Sequence, residues 1–426
     1  ALTLTGGSQV TVSSARNGQA YSFSPGPTSS MATTTIFGSV SAPSQRAAGL
    51  VQGGTLNSTG TTWNNPTANG YGLYAGLNGS APSTLNLTGD TVTSTGANGV
   101  TLQTYNNSAV TASNTTFRND NGLVGIYQWS YGGAAGQVTQ DNRIALINTN
   151  VTTTGTAYGL YSNNSSNGYA HAVTLQGGSL TSDRWAIIAE GPLLFTATDG
   201  ARVAGMQGLL SAEAIGTLGE PTVVQLNADR SVLQGLAEAD SASQANIVLN
   251  NQSEWTGAAW NVTNVSVDPT SRWIIPETST VSELVTNNGR IAFTPMTGDV
   301  YKRLHTGSYV GGSGSVFALN TYLGEDDSPT DQLVIQGGTA SGQSMLEFSN
   351  TGGPGALTRG DGIRVVVALD GASTAPDAFA QSVALLAGPY NYRLYRGGNS
   401  AGTGEDWFLR STLDCADPGA PSPPCP

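Results

Sequence analysis

The chain has 426 residues, with 56 Gly, 19 Pro, 2 Cys and 2 His, and only 10% of it is charged, against about a quarter in an average soluble domain. Its single lysine, Lys302, and its net charge of −12 exclude a basic nucleic-acid-binding surface. Two Cys and two His are too few for a zinc-cluster protein, so neither a metal nor another cofactor is expected. Charge is uneven along the chain. Residues 1–180 hold three acids (Asp90, Asp120, Asp141) and four bases (Arg16, Arg46, Arg118, Arg143), a balance of +1, and the rest of the chain carries −13. No apolar run is long enough to span a bilayer as a helix. The chain opens on Ala1 without an initiating Met, which reads as a mature or trimmed product.

From the N-terminus onward, Gly-led apolar stretches recur: Gly70–Ala75, Gly99–Leu102, Gly122–Tyr127, Tyr158–Tyr161, Trp185–Ile188 and Gly208–Leu210. Between them lie alternating stretches such as Thr84–Thr88, Ala109–Ala112, Ala145–Ile147, Ala172–Leu175 and Val223–Leu226. Alternation with β-branched residues predicts short half-buried strands. Gly, Asn, Asp and Ser at the joints supply the turns, Asp199-Gly200 among them. A once-per-coil recurrence with irregular spacing predicts an all-β chain folded as a β-solenoid. In a stack of parallel rungs each side chain lies about 4.8 Å from its equivalents above and below. Repeated charge is then repelled, whereas Asn, Thr and Ser bond along the stack. The neutral first half is therefore expected to be ladder surface. Ala378–Leu386 is the best helical candidate and is short enough to be strand.

Candidate chemistry is sparse. His171 and His305 are the only imidazoles, and His305 is read as a strand or turn residue. A Ser-His-Asp arrangement would draw on His171 with Ser162 or Ser179 and Asp141 or Asp183, since such triads are defined by geometry and not by order. Gly312-Ser313-Gly314 is read as a turn. The acidic run Glu325-Asp326-Asp327 with Asp331 lacks calcium-loop spacing and is read as a solvated loop. Aromatic residues offer binding chemistry: Tyr71, Tyr74, Tyr105, Tyr127, Trp129, Tyr131, Tyr158, Tyr161 and Tyr169. The rings within the Gly-led stretches are expected to stack inside the coil. Trp129 and Tyr131, in what reads as a loop excursion, are expected to be exposed as ligand contacts.

The C-terminal third is more specific. SEWTGAAWNVTNVSVDPTSRWIIP places Trp255, Trp260 and Trp273 in successive strands. Asn288-Gly289, Gly312-Ser313-Gly314, Thr330-Asp331-x-Leu333 and Gly388-x-Tyr390-x-Tyr392 follow in order. From Trp255 to Arg410 this resembles the autochaperone region of pertactin-like autotransporter passenger domains. The resemblance implies a right-handed parallel β-helix over residues 1–250, an autochaperone-like region over 251–411, and a Pro-rich linker over 412–426 leading toward a translocator β-barrel. It also implies type V export to the surface of a Gram-negative bacterium, or release from it, with the C-terminal region folding first. The expected core of that region is Trp255, Trp260, Trp273, Phe317, Tyr390, Tyr392 and Trp407. Cys415 and Cys425 flank the linker and suit a small disulfide in an oxidising compartment. The expected function is adhesion, through identical passengers on neighbouring cells, in a biofilm, or through a host surface ligand. The alternatives are a surface esterase or lipase on the same scaffold and a binder of a soluble host protein.

Overall fold

The computed structural model describes residues 47–51, 55–76, 82–131, 141–165, 171–215, 221–296, 298 and 300–413, together with the backbone of five short strands before residue 47. Cys415, Cys425, Tyr169 and residues 414–426 of the expected linker lie outside the described residues, while 412 and 413 belong to the strand Trp407–Leu413. No helix occurs among the described residues, and Ala378–Leu386 forms two short strands instead. The chain divides into two compact units, Ala1–Asn246 and Ile247–Pro426.

The first unit is a right-handed parallel β-helix with three strands per coil. The alternating stretches form the first ladder: Thr55–Thr59, Ser83–Thr88, Ser108–Ser113, Asn142–Ile147, His171–Gln176, Leu193–Thr198 and Val223–Asp229. The second ladder runs through Thr62–Asn65, Thr91–Ser94, Thr116–Asp120, Asn150–Thr154, Ser179–Ser182 and Arg202–Gly205. The Gly-led stretches form the third: Tyr71–Gly76, Val100–Tyr105, Val124–Tyr131, Tyr158–Ser165, Trp185–Glu190 and Gly208–Glu213. Coils vary in length. Ala172 pairs with Leu194, 22 residues on, while Ala109 pairs with Arg143, 34 residues on.

Each ladder sends one apolar row inward. In the first, Leu56, Leu85, Val110, Ile144, Val173, Phe195 and Leu226 stack in register and are fully buried. In the second, the row is Trp63, Val92, Phe117, Val151, Leu180 and Val203. In the third it is Leu73, Leu102, Ile126, Leu160, Ile187 and Leu210. Burial of this kind is worth about 25 cal/mol per Å² of apolar surface, and it repeats with every coil.

The corners explain the punctuation of the sequence. Between the first and second ladders a left-handed residue recurs at Gly60, Gly89, Asn114, Asn148 and Gly177, the residue types that adopt positive φ at least cost. After the first four of these the next position is buried and polar. Thr61, Asp90, Thr115 and Thr149 bond along the stack, with Thr61 N donating to Asp90 Oδ1 at 2.5 Å and Thr115 N to Thr149 Oγ1 at 3.3 Å. At the third ladder, Gly159 faces inward where a Cβ would lie 2.5 Å from the carbonyl oxygen of Ala186.

The second unit also uses parallel rungs and ends differently. Trp255, Trp273, Ile291, Phe317 and Leu346 form one buried row. Tyr390–Arg396 and Trp407–Leu413 pair antiparallel, and the latter strand also pairs antiparallel with Ile363–Leu369. This reversal covers a strand edge that would otherwise invite further pairing. Gly312-Ser313-Gly314 is not a turn between strands. It lies inside the long strand Arg303–Thr321 as a register shift between Gly311 and Ser315, with Gly314 at φ 85°. The acidic loop is not simply solvated either. Asp326 accepts the backbone N–H groups of Arg359, Gly360 and Gly362 at 2.7–2.9 Å. Asp331 is fully buried and accepts from Lys302 N and from Asn320 N and Nδ2.

Candidate functional site

The polar rows of the first unit face outward. On the second ladder, Thr62, Thr91, Thr116, Asn150 and Ser179 stand in register, with Asn64, Thr93, Arg118, Thr152 and Thr181 beside them. On the first ladder, Asn57, Asn86 and Thr111 align. Side chains bond up the stack as neutral ladders do: Asn86 Nδ2 to Asn57 Oδ1 at 2.8 Å, Thr93 Oγ1 to Asn64 Oδ1 at 2.8 Å, and Ser179 Oγ to Asn150 Oδ1 at 2.9 Å. Within residues 55–182 the two arginines on these faces are each neutralised on their own strand or beside it, Arg118 by Asp120 at 2.7 Å and Arg143 by Asp141, whereas Arg202, next in register after Ser179, bonds to Gln234. The remaining acid of this stretch, Asp90, is buried. The face is thus short, neutral and repetitive.

The third ladder carries the aromatic residues. Tyr74, Gln103, Tyr127 and Tyr161 align on its outer side, and Tyr105, Trp129 and Asn163 form the adjacent outer row. Tyr127 stacks on Tyr161 at 5.2 Å and 11°, and Trp129 meets Tyr105 edge-on at 4.6 Å. The expectation that these rings fill the coil is therefore corrected. The inward places go to Leu73, Ile126 and Leu160, the residues that precede the tyrosines, so alternation turns the rings outward. Trp129 and Tyr131 do not lie in a loop excursion, since both belong to the strand Val124–Tyr131. Tyr131 is 50% exposed, and Trp129 is half-buried among its aromatic neighbours. The row continues to Glu190, whose carboxylate accepts from Tyr161 Oη at 2.5 Å and Asn163 Nδ2 at 2.6 Å. Burial first, and then the Glu190 charge, push the Tyr127 hydroxyl up to about 12.

The proposed catalytic residues separate. Ser162 and His171 do meet, Oγ to Nδ1 at 2.7 Å, and a second hydroxyl, Ser130 Oγ, lies 2.8 Å from Nε2. His171 is only 1% exposed, with both ring nitrogens occupied, inside the coil where the third ladder meets the first. Burial pushes its pKa down to about 3, which keeps the imidazole neutral. Ser179 points outward on the second ladder, and Asp183 accepts Gly155 N at 2.8 Å in a turn. Asp141 is engaged by Arg143. This buried imidazole between two hydroxyls cross-links two strands. Ser130 was not singled out in the sequence, because a serine 41 residues away from a histidine, in a strand, carries no local signal.

In the second unit, Trp255 and Trp273 stack at 4.8 Å and 2°. Phe317, Tyr392 and Trp407 are buried as expected. Tyr392 Oη lies 2.8 Å from the Gly324 carbonyl and accepts Ala356 N at 2.9 Å. Two expected core residues differ. Trp260 is 47% exposed, because it sits one residue out of phase with the inward Ala259. Tyr390 is half-buried on the terminal hairpin opposite Leu413.

Residues 279–394 match the family described as Autochaperone Domain Type 1. The chain is similar to autotransporter adhesin AIDA-I of Escherichia coli, with 39% identity over 114 residues, 27% of this chain and 8% of that protein. It is also similar to the adhesin BmaC autotransporter of Brucella suis biovar 1, with 40% identity over 124 residues, 28% of this chain and 4% of that protein. These alignments thus span less than a tenth of the relatives' length. Among solved structures, the autotransporter UpaB from E. coli strain CFT073 superposes with a TM-score of 0.52 over 96% of this chain and 95% of that one, at 16% identity; that likeness is one of fold.

Proposed function

We propose that this chain, a pertactin-like autotransporter passenger that carries an autochaperone domain and is displayed on or released from a Gram-negative cell, works as an adhesin through self-association. The observation that carries this reading is the neutral outer face of coils 55–182, where Thr, Asn and Ser repeat in register and every arginine is paired locally. One such rung offers a weak contact. A stack of them on two identical helices offers many at once, and linked weak contacts gain strength through effective concentration. The relatives named as adhesins support the class of activity. A translocator β-barrel joined beyond residue 426 is the partner this reading requires for display. Trp129 and Tyr131 form a separate outer face suited to a host surface ligand, since aromatic anchors dominate recognition.

The test is display of the passenger on a non-adherent cell. Clumping of displaying cells with one another, without added serum, is expected. Binding only after serum proteins are supplied would favour the soluble-host-protein reading instead.

Hydrolysis is the rival class, and the closeness of Ser162 to His171 is its one support. Burial of that pair argues against it. Wild type and His171→Gln are expected to turn over a panel of acyl esters at the same background rate. Activity present in the wild type and abolished in His171→Gln would instead establish an esterase.

A further inference from the structure

An open hollow of about 630 Å³ lies on the outer surface of the second unit, well away in sequence from the adhesive faces. Its floor is built by successive strands. Arg303 N donates to Thr278 Oγ1 at 3.2 Å, Arg303 pairs in register with Gln332, and Gln332 Nε2 donates to the Arg364 carbonyl at 2.9 Å. Two arginines therefore stand about two strand spacings apart, roughly 10 Å at the backbone, with a carboxamide between them. Asp327 and Ser328 form the rim.

Part of the lining's chemistry is unspent. Arg303 makes no ion pair among the described residues, although it stands in the acidic part of the chain. Arg364 faces the buried Asp406 at 2.7 Å, yet its Nε is buried without an acceptor. His305, on the same strand as Arg303, points into the hollow half-buried, and burial and then Arg303 hold its pKa below the usual histidine value. It is therefore neutral near pH 7, able both to donate and to accept. Asp327 is exposed, and its carboxylate takes no hydrogen bond among the described residues.

We propose that this hollow binds a sugar acid, a saccharide bearing a single carboxylate. The guanidinium groups of Arg303 and Arg364 match a carboxylate in shape and charge. The Arg364 charge is already met by Asp406, which leaves Arg303 to hold one carboxylate, with the exposed Asp327 on the rim to disfavour a polyanion. Asp327, His305 and Gln332 then receive sugar hydroxyls, and the carboxylate of Asp327 repels a bare anion. The site goes beyond adhesion by ladder contacts and fails or stands independently of it.

Calorimetric titration of the purified 426-residue chain with D-glucuronate, D-glucose and inorganic sulfate tests this. Glucuronate is expected to bind at least tenfold more tightly than either of the others. Arg303→Gln, at an exposed side chain, lowers glucuronate affinity about tenfold with an unchanged circular dichroism spectrum. Asp327→Asn weakens glucuronate and tightens sulfate, opposite directions that a general loss of structure does not give. Equal affinity for glucuronate and glucose, sulfate binding as tightly as glucuronate in the wild type, or an unchanged Arg303→Gln would each overturn the assignment.

Discussion

Trp273→Ala should destabilise the C-terminal unit by about 3–5 kcal/mol, the range for removing a large aromatic from a packed core. Trp273 is fully buried, lies parallel to Trp255 at 4.8 Å, and is followed in the same row by Ile291 and Phe317. Its Nε1 donates to the Gly257 carbonyl at 2.9 Å, so truncation also strips that buried acceptor of a partner. Rungs above and below are fixed by their own backbone ladders, which limits collapse into the space. Trp260→Ala is the control. Its ring is 47% exposed, and its loss should shift the urea midpoint little. Urea unfolding followed by far-ultraviolet circular dichroism, with limited proteolysis of residues 255–410, reads both. Equal midpoints for the two variants would contradict this packing.

The second large effect is a pair of opposing pH dependences inside one β-helix. His171 has a folded pKa of about 3, below the ordinary value near 6.5. Its neutral form is the one that folds, so its contribution is complete above about pH 6.5 and is lost as pH falls toward 3, at about 1.4 kcal/mol per pH unit. Asp90 is opposite. Burial raises its pKa to about 6 despite bonds from Thr61 N, Ser58 Oγ and Thr88 N. Its contribution is complete below about pH 3.8 and is lost as pH rises through 6. Between about pH 6 and 4 the two slopes nearly cancel in the wild type. Asp90→Asn should therefore lose stability steeply on acidification, and His171→Gln should gain it. Unfolding midpoints at pH 7, 5.5 and 4 give the three slopes. Parallel slopes for all three proteins would refute the linkage.

Much of this architecture is visible in the residues. The Gly-led stretches are the third ladder because Gly72, Gly125 and Gly159 sit where a Cβ would strike a backbone oxygen or a packed side chain of a neighbouring rung. The alternating stretches are the first ladder because a strand with one face inside must alternate. The order of C-terminal motifs carries the autochaperone region. What escaped is phase. The tyrosines of the third ladder face out and Trp260 faces solvent, because one residue of offset at a corner exchanges the two faces of a strand. Clusters that assemble across coils escaped as well. Ser130, Ser162 and His171 span 41 residues, while Arg303, Asp327 and Arg364 span 61. Corner polarity was hidden for the same reason. Asp90 looks like a surface acid in sequence and is a rung of a buried Thr/Asp stack in the fold.

Identical passengers are expected to adhere through the neutral face of coils 55–182. Thr91→Asp with Asn150→Asp tests it most directly. Both positions are exposed and outward on the second ladder, so the fold tolerates the change, while two copies meeting face to face bring like charges together. Sedimentation of displaying cells is the measurement. Wild-type cells are expected to settle at any ionic strength, and the doubly substituted cells to stay dispersed at 0.15 M salt and settle again near 1 M, where screening acts within about 3 Å. Doubly substituted cells that settle as fast as the wild type at 0.15 M would contradict the account.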